Sequence, residues 1–89
     1  MSLSPHLDKS LFAARVKLER LKRGLTQQEL VQLCGFSVNQ INRYEAGTYE
    51  PSASALKSLS EVLGVTTDYL LGTTDEPQET TARSLGSSE

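Results

Sequence analysis

The sequence predicts an all-α fold, a bundle of five short helices. Apolar residues recur at three- and four-residue spacings in several stretches, and nowhere does an apolar/polar alternation run for the length of a strand. A Ser or Thr opens each of the last four stretches, and a Gly closes all five. The first helix runs from about Asp8 to Arg23 and stops at Gly24. The second starts at Thr26, where Thr26-Gln27-Gln28-Glu29 has the form of a capping box, with hydroxyl and carboxylate each accepting from an orphan N–H. Leu30, Leu33 and Cys34 supply its apolar stripe, and Gly35 ends it. The third starts at Ser37, with Ser37-Val38-Asn39-Gln40 as a second box, Ile41 and Tyr44 facing inward and Gly47 closing the segment. The fourth follows Pro51 with Ser52 as its cap, and Leu56, Leu59, Val62 and Leu63 keep helical spacing up to Gly64. The fifth is one or two turns, from Thr66 to Leu71, before Gly72. Links this short make neighbouring helices pack on one another.

At 89 residues, 37% apolar and 22% charged, the chain forms one small domain with a modest core. A single cysteine, Cys34, excludes an internal disulfide and a Cys-rich zinc site. A single histidine, His6, argues against a His-based metal site or a hydrolytic triad. No cofactor, metal or catalytic residue is expected, and the scattered carboxylates form no acid–base pair that would mark an enzyme. No apolar run approaches the ~18 residues that span a bilayer, and no secretory leader is evident, so a soluble, cytoplasmic protein is expected. The net charge is −2, which on its face opposes nucleic-acid binding. The charge is unevenly placed, however. Residues 73–89 carry four acids against Arg83, a net of −3, and residues 1–72 carry eight Lys/Arg against seven Asp/Glu, a net of +1. Residues 73–89 hold almost no apolar side chains and read as a disordered acidic tail. Residues 1–7 read as a flexible leader, which leaves 8–72 as the folded body.

Two helices of about eight residues joined by a tight turn at Gly35 would present one polar face of the second helix. At 100° per residue from Val38, the residues Val38, Asn42, Asn39 and Arg43 fall between 0° and about 140°, away from Ile41 and Tyr44. Asn can pair bidentately with adenine, Arg with guanine, and Val can pack on a thymine methyl. That is the composition of a helix that reads a major groove.

From Phe12 to Leu71 the chain resembles the Cro and phage-repressor type of helix-turn-helix protein, the XRE family, whose fold is the lambda-repressor-like domain. The matching residues are LTQQELVQLCGFSVNQINRYEAGTYEPS and, after them, LKSLSEVLGVTTDYLLG. The landmarks include Gln27, Glu29-Leu30, Gly35, Ile41, Tyr44-Glu45-Ala46-Gly47, Pro51 and Asp68-Tyr69-Leu70-Leu71-Gly72. The resemblance implies base contacts from Gln27, Ser37, Val38, Asn39, Asn42 and Arg43. It also implies phosphate contacts from Thr26, Thr48 and Tyr49, beside the N-termini of the second and third helices. Arg20 and Glu45 match a buried ion pair of relatives. Independently, Phe12, Val16 and Arg20 share one face of the first helix, so Arg20 turns toward the core and needs a partner.

Several positions depart from the family pattern. Val31 stands where Ala is usual, and Glu19 where an apolar residue is usual. Thr48, Tyr49 and Glu50 replace an often basic loop, which implies fewer phosphate contacts and a shallower salt dependence. Cys34 reads as a buried small hydrophobe, His6 as a solvated residue, and Asp68 as an early-helix acid that suits the dipole. Leu11, Ala14, Leu18 and Leu21 form a stripe opposite the inner face of the first helix, expected to meet a second subunit or the chain's own termini. The expected function is sequence-specific double-stranded DNA binding by a small repressor or regulator of bacterial or phage type, nucleoid-associated when bound. It would read a pseudo-palindromic operator with residues 37–45, as a homodimer at least on DNA. The alternative is an antitoxin-type interaction protein whose acidic tail binds a partner protein.

Overall fold

In the computed structural model, which describes residues 8–78, Asp8 opens the first helix by accepting the Ser10 and Leu11 N–H groups at 3.0 and 3.1 Å. The described residues form α1 (Lys9–Lys22), α2 (Gln27–Cys34), α3 (Val38–Glu45), α4 (Ala53–Leu63) and α5 (Thr67–Leu71). Among them there is no strand, and no helix is long and apolar enough to cross a membrane. Each helix starts where a side-chain oxygen can take an orphan N–H. Thr26 and Glu29 complete the reciprocal box at 3.0 and 2.9 Å, and Ser37, Ser52 and Thr66 cap α3, α4 and α5. The second expected box is only half made. Ser37 Oγ accepts from the Gln40 N–H at 3.1 Å, but the Gln40 side chain donates to Tyr44 Oη at 3.1 Å, one turn along the same face.

The core lies where α1 packs on α3, α4 and α5, and where α2 packs on α3 and α4. Phe12, Val16, Leu30, Ile41, Leu59, Leu63 and Leu70 are fully enclosed there. The inner face of α2 differs from the expectation. Leu30 and Val31 are buried, Cys34 is half-buried, and Leu33 is 61% exposed. At 100° per residue, positions 30 and 34 lie within about 40° of each other with 31 and 33 on opposite flanks, and the packing of α2 on α3 and α4 encloses the Val31 flank and leaves Leu33 outside. Cys34 still behaves as a small hydrophobe, and burial pushes its thiol pKa up. The outer stripe of α1 is largely open, with Leu18 and Leu21 50% and 55% exposed. Leu11 alone of its leucines is half-covered, and it is covered by the chain itself. A Cβ on Gly72, which has φ +88°, would lie 2.7 Å from Leu11 Cδ2.

Glu19 is the largest surprise of α1. It is 1% exposed, and every partner it needs is supplied. Arg23 Nη1 donates to it at 2.7 Å, Tyr69 Oη at 3.0 Å and Lys22 Nζ at 3.5 Å. Burial pushes the carboxyl pKa up, but the Arg23 and Tyr69 hydrogen bonds and the Lys22 and Arg23 charges outweigh it, leaving it below the ordinary value. A lowered carboxyl pKa stabilises the fold above the unfolded value, and that contribution disappears as pH falls through the folded one. Unfolding free energy, measured by urea titration, is therefore expected to fall from about pH 4.5 downward. Glu19→Gln should remove part of that slope, which can reach about 1.4 kcal/mol per pH unit for one proton. An unchanged acid limb would show that Glu19 is not the group responsible.

The boundary expected at residue 72 moves outward. Residues 73–78 return along the body instead of leaving it as tail. Arg15 lies over the Tyr69 ring at 4.3 Å. It donates to the Tyr69 and Thr74 carbonyls at 2.6 and 2.7 Å and pairs with Asp75 at 2.7 Å. The Thr66 N–H donates to the Pro77 carbonyl at 2.9 Å, and Gln78 Nε2 to the Gly64 carbonyl at 3.2 Å. Composition missed this because the strap is held by backbone carbonyls and one guanidinium, not by apolar burial. The expected leader, 1–7, and the remainder of the expected tail, 79–89, lie outside the described residues.

Candidate nucleic-acid interface

The turn between α2 and α3 is set by Gly35 at φ +79°, a left-handed conformation that other residues adopt only at a cost. The Gly35 and Phe36 N–H groups both donate to the Val31 carbonyl, at 2.7 and 3.1 Å, so the chain reverses within one residue of the helix end. Phe36 then turns inward, its ring edge-on to Tyr44 at 5.9 Å, while Phe12 meets Tyr44 edge-on from α1 at 5.8 Å. Ile41 and Tyr44 are buried. With that side of α3 fixed, the other side faces outward.

Val38, Asn39, Asn42 and Arg43 are all exposed on that outer side, a surface of two amides, one guanidinium and one methyl-bearing side chain. Ser37 stands at the head of the same helix. Its Oγ accepts a backbone proton, which leaves its own hydroxyl proton free to donate outward. Thr26 has the same arrangement at the head of α2. The unpaired first-turn N–H groups of these two helices add partial positive charge there.

Three of the expected contact residues are placed less simply. Gln27 is half-buried and its Nε2 donates to Glu45 Oε1 at 3.0 Å, so only its carbonyl and second amide proton remain available. Thr48 is exposed, but its hydroxyl and its backbone N–H both donate to the Arg43 carbonyl at 3.2 Å. A hydroxyl has one proton, so this arrangement leaves Thr48 none for a phosphate. Tyr49 is half-exposed, and its ring lies under the Arg43 guanidinium, 4.8 Å from carbon to centroid. Sequence reasoning placed Tyr49 only as a phosphate contact. The six-residue separation across a glycine turn gives no sign of this contact.

Arg20 and Glu45 fasten this surface to the rest of the domain. Arg20 Nε and Nη2 donate to Glu45 at 2.8 and 3.1 Å, and Nη1 donates to the Leu25 carbonyl at 2.7 Å. Both side chains are more than nine-tenths buried. The pair therefore ties α1, the α1–α2 link and the end of α3 together, with Gln27 of α2 on the same carboxylate.

A groove of about 450 Å³ runs between α3 and the following loop, lined by Ser37, Asn39, Gln40, Arg43, Tyr44, Tyr49 and Glu50. Among the described residues no cluster of His, Cys, Asp or Glu could hold a metal ion. The arrangement offers hydrogen bonds and shape.

Residues 16–70 match a family profile described as Helix-turn-helix. Over 61 residues the chain is 38% identical to an SPbeta prophage-derived HTH-type transcriptional regulator of Bacillus subtilis, covering 68% of this chain and 56% of that one. The chain thus spans about half the length of the curated relatives it matches. Its fold is similar to the P22 c2 repressor solved with a synthetic operator, at TM-score 0.69 and 31% identity, covering 72% and 97% of the two chains. It is also similar to the N-terminal DNA-binding domain of SinR from Bacillus subtilis, at TM-score 0.67 and 27% identity, covering 70% and 91%.

Proposed function

The chain belongs to the helix-turn-helix family, and on that premise we propose that it binds double-stranded DNA sequence-specifically and acts as a transcriptional regulator, most simply a repressor. The observation that carries the reading is the outer face of α3. Val38, Asn39, Asn42 and Arg43 project together from a helix whose opposite side is locked into the core. Laid in a major groove, this face offers amides for adenine, a guanidinium for guanine and an aliphatic surface for thymine. Ser37, at the head of α3, would join the base-reading face, and Thr26 and the first-turn N–H groups of α2 and α3 would meet the flanking phosphates. One domain would read about three to five base pairs, and two copies a pseudo-palindrome with half-sites ~34 Å apart. The family's relatives carry the names of regulators, which favours this reading over an antitoxin.

Selecting bound sequences from random duplex DNA tests the proposal. A conserved half-site, repeated with two-fold symmetry at one helical turn, is the expected result. Arg43→Ala is expected to lower affinity for the selected site by about 1–3 kcal/mol and to relax preference at one base pair. Asn39→Ala should do the same at a neighbouring position. If both variants bind the selected site like the wild type, α3 does not read the bases.

A further inference from the structure

An exposed arginine carries about 2 kcal/mol of rotamer entropy, and reading a base fixes it. Arg43 is exposed at the last turn of α3, yet it is not left to sweep. Its guanidinium carbon lies 4.8 Å from the centre of the Tyr49 ring. The position of that ring is itself set by Arg43. Gly47, at φ +78°, turns the chain back after α3. The Thr48 N–H and hydroxyl then both donate to the Arg43 carbonyl at 3.2 Å. The backbone of residue 43 thus holds residue 48, and the ring of residue 49 holds the side chain of residue 43. Pro51 and the Ser52 cap of α4 follow directly, which limits how far Tyr49 can drift.

A guanidinium laid flat on the ring engages it by its face and leaves its N–H donors, which lie in the plane, pointing outward. Those are the donors needed to bracket the O6 and N7 of a guanine. The guanidinium, the ring and the Glu50 side chain line one groove. The Glu50 carboxylate there disfavours a phosphate in it, which speaks against Tyr49 acting chiefly as a backbone contact.

We infer that Tyr49 is a specificity-determining residue that acts through Arg43, presenting its guanidinium edge-on to one G·C pair of the bound duplex. The inference rests on the reading of α3 as the recognition helix. Tyr49→Ala and Tyr49→Phe are made in the full chain, each with Arg43 intact and with Arg43→Ala. Affinity is measured for the selected site and for sites substituted at each base pair, with thermal unfolding to establish that each variant is folded. Tyr49→Ala is expected to reduce discrimination about two- to fivefold, and only at the base pair whose preference Arg43→Ala abolishes. Tyr49→Phe keeps the stack and should keep the discrimination. In the Arg43→Ala background, Tyr49→Ala should add nothing to the loss of discrimination.

The inference is overturned if phenylalanine fails as alanine does, because the hydroxyl then matters and not the ring. A loss spread evenly over all sites would also overturn it, since that is the signature of a phosphate contact. If Arg43→Ala abolishes a preference that Tyr49→Ala leaves intact, this inference fails and the reading of α3 stands. If Arg43→Ala changes no preference at any base pair, Arg43 is not a base reader and the role of Tyr49 falls with it.

Discussion

Replacing Glu45 by alanine lowers the free energy of unfolding by about 3–5 kcal/mol. The carboxylate receives three hydrogen bonds, two from Arg20 and one from Gln27. Without it, the Arg20 guanidinium stays buried with the Leu25 carbonyl as its one remaining partner. A domain of this size holds only about 4–10 kcal/mol in total, so the variant should be largely unfolded well below the wild-type midpoint. The loss comes from the stranded charge more than from the missing attraction. Exchanging both partners for methionine, Arg20→Met with Glu45→Met, should therefore cost less than Glu45→Ala alone. Urea unfolding of the wild type and the two variants measures this. A loss under about 1 kcal/mol for Glu45→Ala would show that Arg20 finds water or another acceptor.

Phe12→Ala is expected to cost about 3–5 kcal/mol as well, by a different route. Phe12 is fully enclosed, and its ring meets Tyr44 edge-on. Alanine leaves a void between α1 and α3 and removes one of the two aromatic edges that seat Tyr44, Phe36 being the other. Tyr44 lies on the side of α3 opposite Asn39, Asn42 and Arg43, so a loosened Tyr44 lets the outer face shift. At a temperature where the variant is still folded, its affinity for the selected DNA should fall although no contact residue has changed. Unchanged affinity in the folded variant would show that Phe36 and Ile41 suffice to hold α3.

The helix starts are legible in the sequence because capping is local. Thr26 reaches Glu29, and Ser52 reaches the Ala55 N–H, across three residues. The outer face of α3 is legible for the same reason, since helical phase follows from counting. What sequence does not reveal depends on distant partners. Glu19 looks like a break in the apolar pattern until Tyr69, fifty residues on, is seen to donate to it. The strap of residues 73–78 looks like tail because its hold comes from Arg15, about sixty residues earlier. Helical counting places Leu33 and Val31 equally well beside Leu30 and Cys34, and only the position of α4 and α3 around α2 selects Val31. The resemblance assigns Gln27 and Thr48 to DNA, and each has bonds inside the domain that the sequence pattern does not encode.

The guanidinium groups of Arg15, Arg20 and Arg23 are tied to carboxylates and carbonyls of the fold itself. They are therefore poor agents for displacing counterions from a duplex, and the charge offered to DNA is smaller than the count of basic residues suggests. On a DNA-binding reading, this bears on how the protein finds its operator. A weak hold on random sequence means short visits and little one-dimensional sliding, so search proceeds mostly by release and recapture through solution. Such a regulator gains little from the bulk of the chromosome as an antenna. In return, little of it is sequestered there, and occupancy of the operator tracks the free concentration of the protein closely.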